Sequence, residues 1–256
     1  MIGSLKPVSA ASAPCKICGG AAALYGVVDF HKSCVEVQGA RLPLSGVPIY
    51  YRRCANCEFL FTDAFDDWSV AQFKADIYNE GYDAVDPDYE IVRPQSNANE
   101  VIKLWGPYKA RTRILDYGGG NDAFCALLRA SEFPVAVTYD PMVPAHAQRP
   151  AGKFDLVTCF ETLEHLPDPF AGIALLLDCV AEPGLVHIST FAQPADFAAY
   201  GLNWWYVAPR NGHISIFSRQ ALALAFGRYG YKTVSLSDNL HFAFRTLPSF
   251  AEELSK

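Results

Sequence analysis

The chain has 256 residues, 51% hydrophobic and 19% charged, with a formal net charge of −6 and a pI of about 5.5. That length suits one large folded domain with a small attachment, and the acidic balance argues against broad electrostatic binding of nucleic acid or an anionic membrane. No apolar run reaches the roughly 18 residues of a spanning helix, so no membrane role is expected.

Taken in chain order, residues 1–14 (MIGSLKPVSAASAP) hold one lysine and no hydrophobic segment of the kind a signal peptide needs. They read as a disordered lead, and the expected compartment is the cytoplasm. Residues 15–70 carry two CxxC pairs, Cys15 with Cys18 and Cys54 with Cys57. Two thiolates two residues apart reach one ion, and two such knuckles complete a tetrahedral site, so the expectation is a structural Zn²⁺. Thiol redox chemistry is the rival reading, but one pair alone would serve it. The 35 residues between the pairs (54 − 18 − 1) must form a long excursion. Gly19-Gly20 supplies a turn, and YYRRC a strand into the second knuckle. A closed four-thiolate sphere staples a small region and does not catalyse. The other cysteines are Cys34, Cys125, Cys159 and Cys179. The last three sit in apolar contexts and read as small buried thiols.

Residues 71–110 are helical and aromatic in flavour, broken at Asp86-Pro87 and Arg93-Pro94. From Arg111 onward strand-like and helix-like stretches alternate, which predicts an α/β fold with a parallel, doubly wound sheet. The expected strands are 113–117, 135–139, 154–160, 184–191, 231–236 and 241–246. Helices are expected over 122–130, 169–180 and 220–229, the last capped by Ser218. Only a short SDN-containing turn separates the final two strands, so they form an antiparallel hairpin.

The stretch RILDYGGGNDAF, 113–124, ends a strand in Asp116 and follows it with Gly118, Gly119 and Gly120. Bare backbone at a helix N-terminus suits a phosphate or another close ligand. GGGNDA even fits the dinucleotide fingerprint. An acid two residues before the first glycine fits an ammonium group better, and S-adenosylmethionine carries one. Asp140 ends the next strand in VTYDPM, where it can accept ribose hydroxyls, and Pro141 and Met142 can cover an adenine. Asp140 would serve either cofactor.

Together ILDYGGG, VTYDPM and FDLVTCFETLEHLPDP resemble the class I S-adenosylmethionine-dependent methyltransferases over residues 111–256. The resemblance implies a Rossmann-like sheet and a cofactor site formed by Asp116, Gly118, Gly119, Gly120, Asp140, Pro141, Met142, Phe160 and Glu161. The CxxC pairs resemble a subgroup of bacterial methyltransferases with an N-terminal zinc module, some of which methylate nucleotide-linked sugars. Asp122 departs from the family's third glycine, which implies a tighter or more polar methionine end. Only 13 residues (154 − 140 − 1), three of them proline, separate Asp140 from Phe154. The family's third strand is therefore expected to be missing or vestigial.

Glu161, Glu164 and His165 stand at i, i+3 and i+4, so one helical turn would put them on one face, with His213 downstream. A similar E-x-x-E-H occurs in small-RNA 3′-end 2′-O-methyltransferases and ubiquinone-pathway O-methyltransferases. That resemblance implies Mg²⁺ held by Glu161, Glu164, His165 and His213. The metal-free reading makes His165 or His213 the general base, and it is the reading this stretch favours by itself. His187, inside an apolar strand, is expected in the core. Trp204, Trp205 and Tyr206 are expected on the substrate side, facing a lid of Tyr78, Tyr82, Tyr89 and Arg93. Arg93 or Arg210 would grip a phosphate or carboxylate.

The resulting expectation is a zinc-containing methyltransferase for a small-molecule or sugar-type acceptor, with O-methylation favoured over C-methylation. The alternatives are a metal-dependent RNA ribose 2′-O-methyltransferase, a nicotinamide-dependent oxidoreductase and a non-catalytic cofactor-binding module.

Overall fold

The computed structural model describes residues 12–255; most of the N-terminal lead lies outside them. Its last residues, Ala13–Pro14, form a short strand β1 against β2, Ala21–Asp29. β3, Pro48–Cys54, and β4, Leu60–Phe61, complete the N-terminal half of a first sheet. Helix α1, Val70–Asp76, begins with a capping box: Ser69 and Gln72 satisfy each other's backbone N–H groups. Helix α2 runs over Val92–Trp105. The predicted break at Arg93-Pro94 is absent. Pro94 lies in the first turn, where the missing N–H has no helical acceptor to lose.

The predicted alternation follows: β5 (Arg113–Tyr117), α3 (Ala123–Ala130), β6 (Val135–Tyr139), β7 (Phe154–Phe160), α4 (Pro169–Leu177), β8 (Val180–Ser189), α5 (Phe197–Tyr200), β9 (Ser215–Ile216), α6 (Arg219–Gly227), β10 (Lys232–Ser235) and β11 (Leu240–Phe244). The second sheet has the order β10-β11-β8-β7-β5-β6, parallel from β8 to β6 and closed by the antiparallel β10–β11 hairpin. β6 is its edge. Among the described residues only a short 3-10 turn, Pro144–His146, lies between β6 and β7, so the third strand is missing as expected.

Both faces of this sheet are covered. Leu115, Val157 and Ile188 pack with Ile173, Leu176, Leu222 and Phe226 of α4 and α6. On the other face Ile114, Leu156 and Phe242 meet Val101 and Trp105 of α2 and Leu128 of α3. His187 is buried there, between Phe160 and Phe242. The first sheet has the order β1-β2-β3-β4-β9. Its last strand comes from far along the chain, so the two sheets do not divide as the sequence does.

Candidate active site

The glycine loop is shaped by its aspartates. Asp116 ends β5 with its carboxylate buried, accepting a hydrogen bond from Thr158 Oγ1 at 2.7 Å. Burial pushes it up to about 7, against the donation from Thr158. A Cβ at Gly119 would collide with that carboxylate, and one at Gly118 (φ 81°) with Thr162, so the loop passes where a side chain does not fit. Asp140, at the end of β6, accepts from Gly120 N–H at 3.0 Å and Met142 N–H at 2.7 Å. Each oxygen keeps a lone pair for a further donor. Asp122 takes the left-handed conformation (φ 68°). Its carboxylate accepts from Thr138 Oγ1 and pairs with Arg129, each at 2.6 Å. Phe160 packs edge-on between Phe124 and His187.

The four paired cysteines converge. Their sulfurs lie within 4.8 Å of one another, with Cys15–Cys57 at 3.6 Å and Cys18–Cys54 at 3.4 Å, and none is in a disulfide. Thiolates about 2.3 Å from one tetrahedral ion would stand about 3.8 Å apart. The two knuckles repeat each other. Ile17 N–H points at Cys15 Sγ and Asn56 N–H at Cys54 Sγ. Gly19 and Glu58, each one residue past the second cysteine, both have positive φ. The hydrogen bonding between Cys15 and Cys57 pushes the Cys15 thiol down to about 5, so one sulfur of the cluster is readily a thiolate.

The predicted helical face at 161–165 does not form as one turn. Glu161 follows β7 in a left-handed conformation (φ 47°), and the 3-10 turn starts at Leu163. Glu161 accepts from Ser189 Oγ at 2.6 Å and stands apart from the cluster, whereas Glu164, His165 and His213 bring their ligand atoms within 4.8 Å of one another. Glu164 is fully buried; Tyr206 Oη donates to Oε1 at 2.6 Å and Thr190 Oγ1 to Oε2 at 2.9 Å. His165 Nδ1 meets Gly212 O at 3.1 Å and His213 Nδ1 meets Tyr206 O at 2.9 Å. A carbonyl only accepts, so both Nδ1 atoms carry the proton and both Nε2 atoms present lone pairs. Burial lowers both histidines, His213 strongly. Burial and then the neighbouring Glu164 push Glu161 up to about 8, and burial raises Glu164 as well. Burial thus favours the neutral forms of both the glutamates and the histidines in the free site.

The aromatic insert supplies its walls. Tyr206 is buried and holds Glu164 and His213 instead of facing outward. Tyr82 is buried and Tyr78 packs on His165 at 6.0 Å. The Arg93 fork is taken by Asp86, at 2.7 and 2.9 Å. Arg210 is tied to Ile77 O and Asn79. The Arg93 charge is thus met by a carboxylate, whereas the two partners of Arg210 are neutral. Trp204 and Trp205 line a cleft of about 440 Å³ with Tyr200, Glu36, Arg41 and Asp196. The sequence offered no sign of Glu36, Arg41 or Asp196, because they come from two loops far apart in the chain.

Residues 89–236, more than half of the chain, match the family described as "Methyltransferase domain". The chain belongs to that family and is an S-adenosylmethionine-dependent methyltransferase. It is 44% identical over 78 residues to the ubiquinone biosynthesis O-methyltransferase of Pectobacterium carotovorum subsp. carotovorum (strain PC1), covering 30% of this chain and 33% of that protein. The corresponding enzyme of Escherichia fergusonii is 41% identical over 66 residues, 25% of this chain and 28% of the relative. The matched stretch thus spans about a third of these relatives. Similar solved structures include magnesium protoporphyrin IX methyltransferase from Synechocystis PCC 6803, with TM-score 0.45, 15% identity and coverage of 72% of this chain and 97% of the other. Another is CalS10, an amino pentose methyltransferase from Micromonospora echinaspora, with TM-score 0.45, 14% identity and coverage of 66% and 98%. No helix among the described residues is long and apolar enough to cross a membrane.

Proposed function

We propose that the protein methylates a hydroxyl oxygen of a small-molecule or sugar-type acceptor, with a divalent cation such as Mg²⁺ held by Glu164, His165 and His213 and a structural Zn²⁺ held by Cys15, Cys18, Cys54 and Cys57. The observation that carries the first part is the convergence of Glu164 with two imidazoles whose Nδ1 atoms face backbone carbonyls. One ligand atom from each of Glu164, His165 and His213 lies within 4.8 Å of the others, and His165 Nε2 stands 3.9 Å from Glu164 Oε1. A cation could take one ligand from each of the three groups, and the backbone carbonyls behind both rings are the usual orienting partners of metal-bound histidine. Such an ion would lower the pKa of the acceptor hydroxyl and orient it. The printed role of the ubiquinone-pathway relatives agrees with oxygen as the acceptor atom.

S-adenosylmethionine brings an already activated methyl group, so the chain's task is alignment and proton removal. In this reading Asp116 takes the ammonium and Asp140 the ribose hydroxyls, supported by a loop 118–120 in which a Cβ at Gly118 or Gly119 would collide with its neighbours. Asp122 leaves the loop for Thr138 and Arg129, so it adds little polarity at the methionine end. Tyr206 and Thr190 keep Glu164 aimed. The Trp204–Trp205 cleft is the acceptor entrance. Trp205 packs 5.2 Å from Tyr206, whose hydroxyl reaches Glu164, and its mixed aromatic and polar lining fits a hydroxylated ring.

Labelled methyl transfer tested over phenols, sugars and short RNA, with and without a mild chelator, examines this reading. The expected result is transfer to a small hydroxyl acceptor, lost on chelation and restored by Mg²⁺ or Mn²⁺. Transfer indifferent to the chelator but lost in His213→Ala would instead support the metal-free base, for which the neutral, buried histidine pair is the motivating observation.

A further inference from the structure

The cysteine site and the Glu164–His165–His213 cluster are joined by one buried hydrogen-bonded framework. Cys57 O accepts from Ser218 Oγ at 2.6 Å, and Glu58 O accepts from Gln193 Nε2 at 2.7 Å. Three residues past Cys57, β4 pairs with β9, placing Leu60 opposite Ile216 and Phe61 opposite Ser215. Thr62 N–H then donates to Ile214 O at 3.1 Å, while Ile214 N–H donates to Glu164 O at 2.9 Å. Residue 214 is therefore clamped between the cysteine module and the catalytic turn. His213 is gripped from the same side: Tyr51 Oη, on β3 three residues before Cys54, donates to His213 O at 2.7 Å. Tyr51, Thr62, Ile214 and Ser215 are fully buried. Water cannot replace these bonds, so a shift at either knuckle is passed along the strand instead of being absorbed.

We propose that the Cys15–Cys18–Cys54–Cys57 site positions the active site, and that metal bound there fixes His213 and Glu164 through β3, β4 and β9, with Tyr51 as the positioning residue for His213. A zinc staple that merely held residues 15–70 folded would need none of these links. The inference rests on the zinc and acceptor-site readings above.

Metal analysis comes first: purified protein without zinc removes the zinc reading and the metal part of this proposal, while the Tyr51 part stands or falls separately. The second measurement is Mn²⁺ titration by electron paramagnetic resonance, together with nitrogen NMR of ¹⁵N-histidine protein, which reports tautomer and environment without any acceptor. Tyr51→Phe, with zinc still bound, is expected to weaken Mn²⁺ binding about tenfold or more and to move the His213 and His165 signals. Cys57→Ser is expected to do the same, with His146 unmoved and S-adenosylhomocysteine still bound. If Cys57→Ser fails to fold, parent protein stripped of zinc decides the metal part and Tyr51→Phe the Tyr51 part. If the parent binds no Mn²⁺, the cation reading fails and the histidine signals carry the test. Parental Mn²⁺ affinity and unmoved His213 signals in Tyr51→Phe, or in folded zinc-free protein, would overturn the proposal.

Discussion

Asp116 shows what one buried carboxyl contributes. In the free protein burial disfavours its charge and pushes it from the ordinary carboxylate range up to about 7. A folded pKa raised above the unfolded one makes an acid a stabilising group only at low pH: its contribution is present below about 4 and is lost as pH rises to about 7. An ammonium beside it needs the ionised form, so cofactor binding releases a proton. Affinity for S-adenosylhomocysteine should therefore fall as pH drops below 7, by at most tenfold per unit, and level off above. Asp116→Asn should flatten this dependence in calorimetric titrations. If the slope survives, the ammonium partner lies elsewhere. Tyr206 tests a different link. Tyr206→Phe strands a lone pair of buried Glu164, a loss of roughly 1–3 kcal/mol by the usual cost of a buried unpaired group. It should lower the thermal midpoint and weaken Mn²⁺ binding; unchanged values for both would remove Tyr206 from the site.

At the scale of elements, the parallel strands were readable because their apolar runs are continuous and their boundaries are marked by Gly, Pro and Asp. The missing third strand was readable too, since three prolines in a short connection leave no ladder to form. β9 was not: two residues carry no periodicity, and its partner lies some 150 residues away. The E-x-x-E-H face was misjudged in shape, because a left-handed residue at Glu161 starts the turn late, which spacing alone cannot reveal. Tyr206 read as a substrate surface from composition, yet packing turns it inward. Gly119→Ala is the element-level test of the loop. Its methyl would meet Asp116 and Thr138, so the loop should shift and S-adenosylhomocysteine affinity should fall at least tenfold, read by isothermal titration, while circular dichroism stays near that of the parent. Parental affinity would mean that the cofactor does not rest on this loop.

For the whole molecule, the N-terminal half packs against the aromatic insert of the candidate site. Lys32 Nζ reaches Trp204 O and Val207 O, Cys34 N–H reaches Asn211, and Arg210 ties the insert to Ile77, just past α1. The cleft lined by Trp204 and Trp205 lies between a loop of one half and the insert of the other, which explains why neither half of the sequence announced it. The most direct test is Mn²⁺ anomalous scattering from crystals of the zinc-loaded protein with S-adenosylhomocysteine. The account predicts one peak coordinated by Glu164, His165 and His213, distinct from a zinc peak at the four cysteines. Crystals that hold S-adenosylhomocysteine at the glycine loop but show no manganese at those three residues would contradict it.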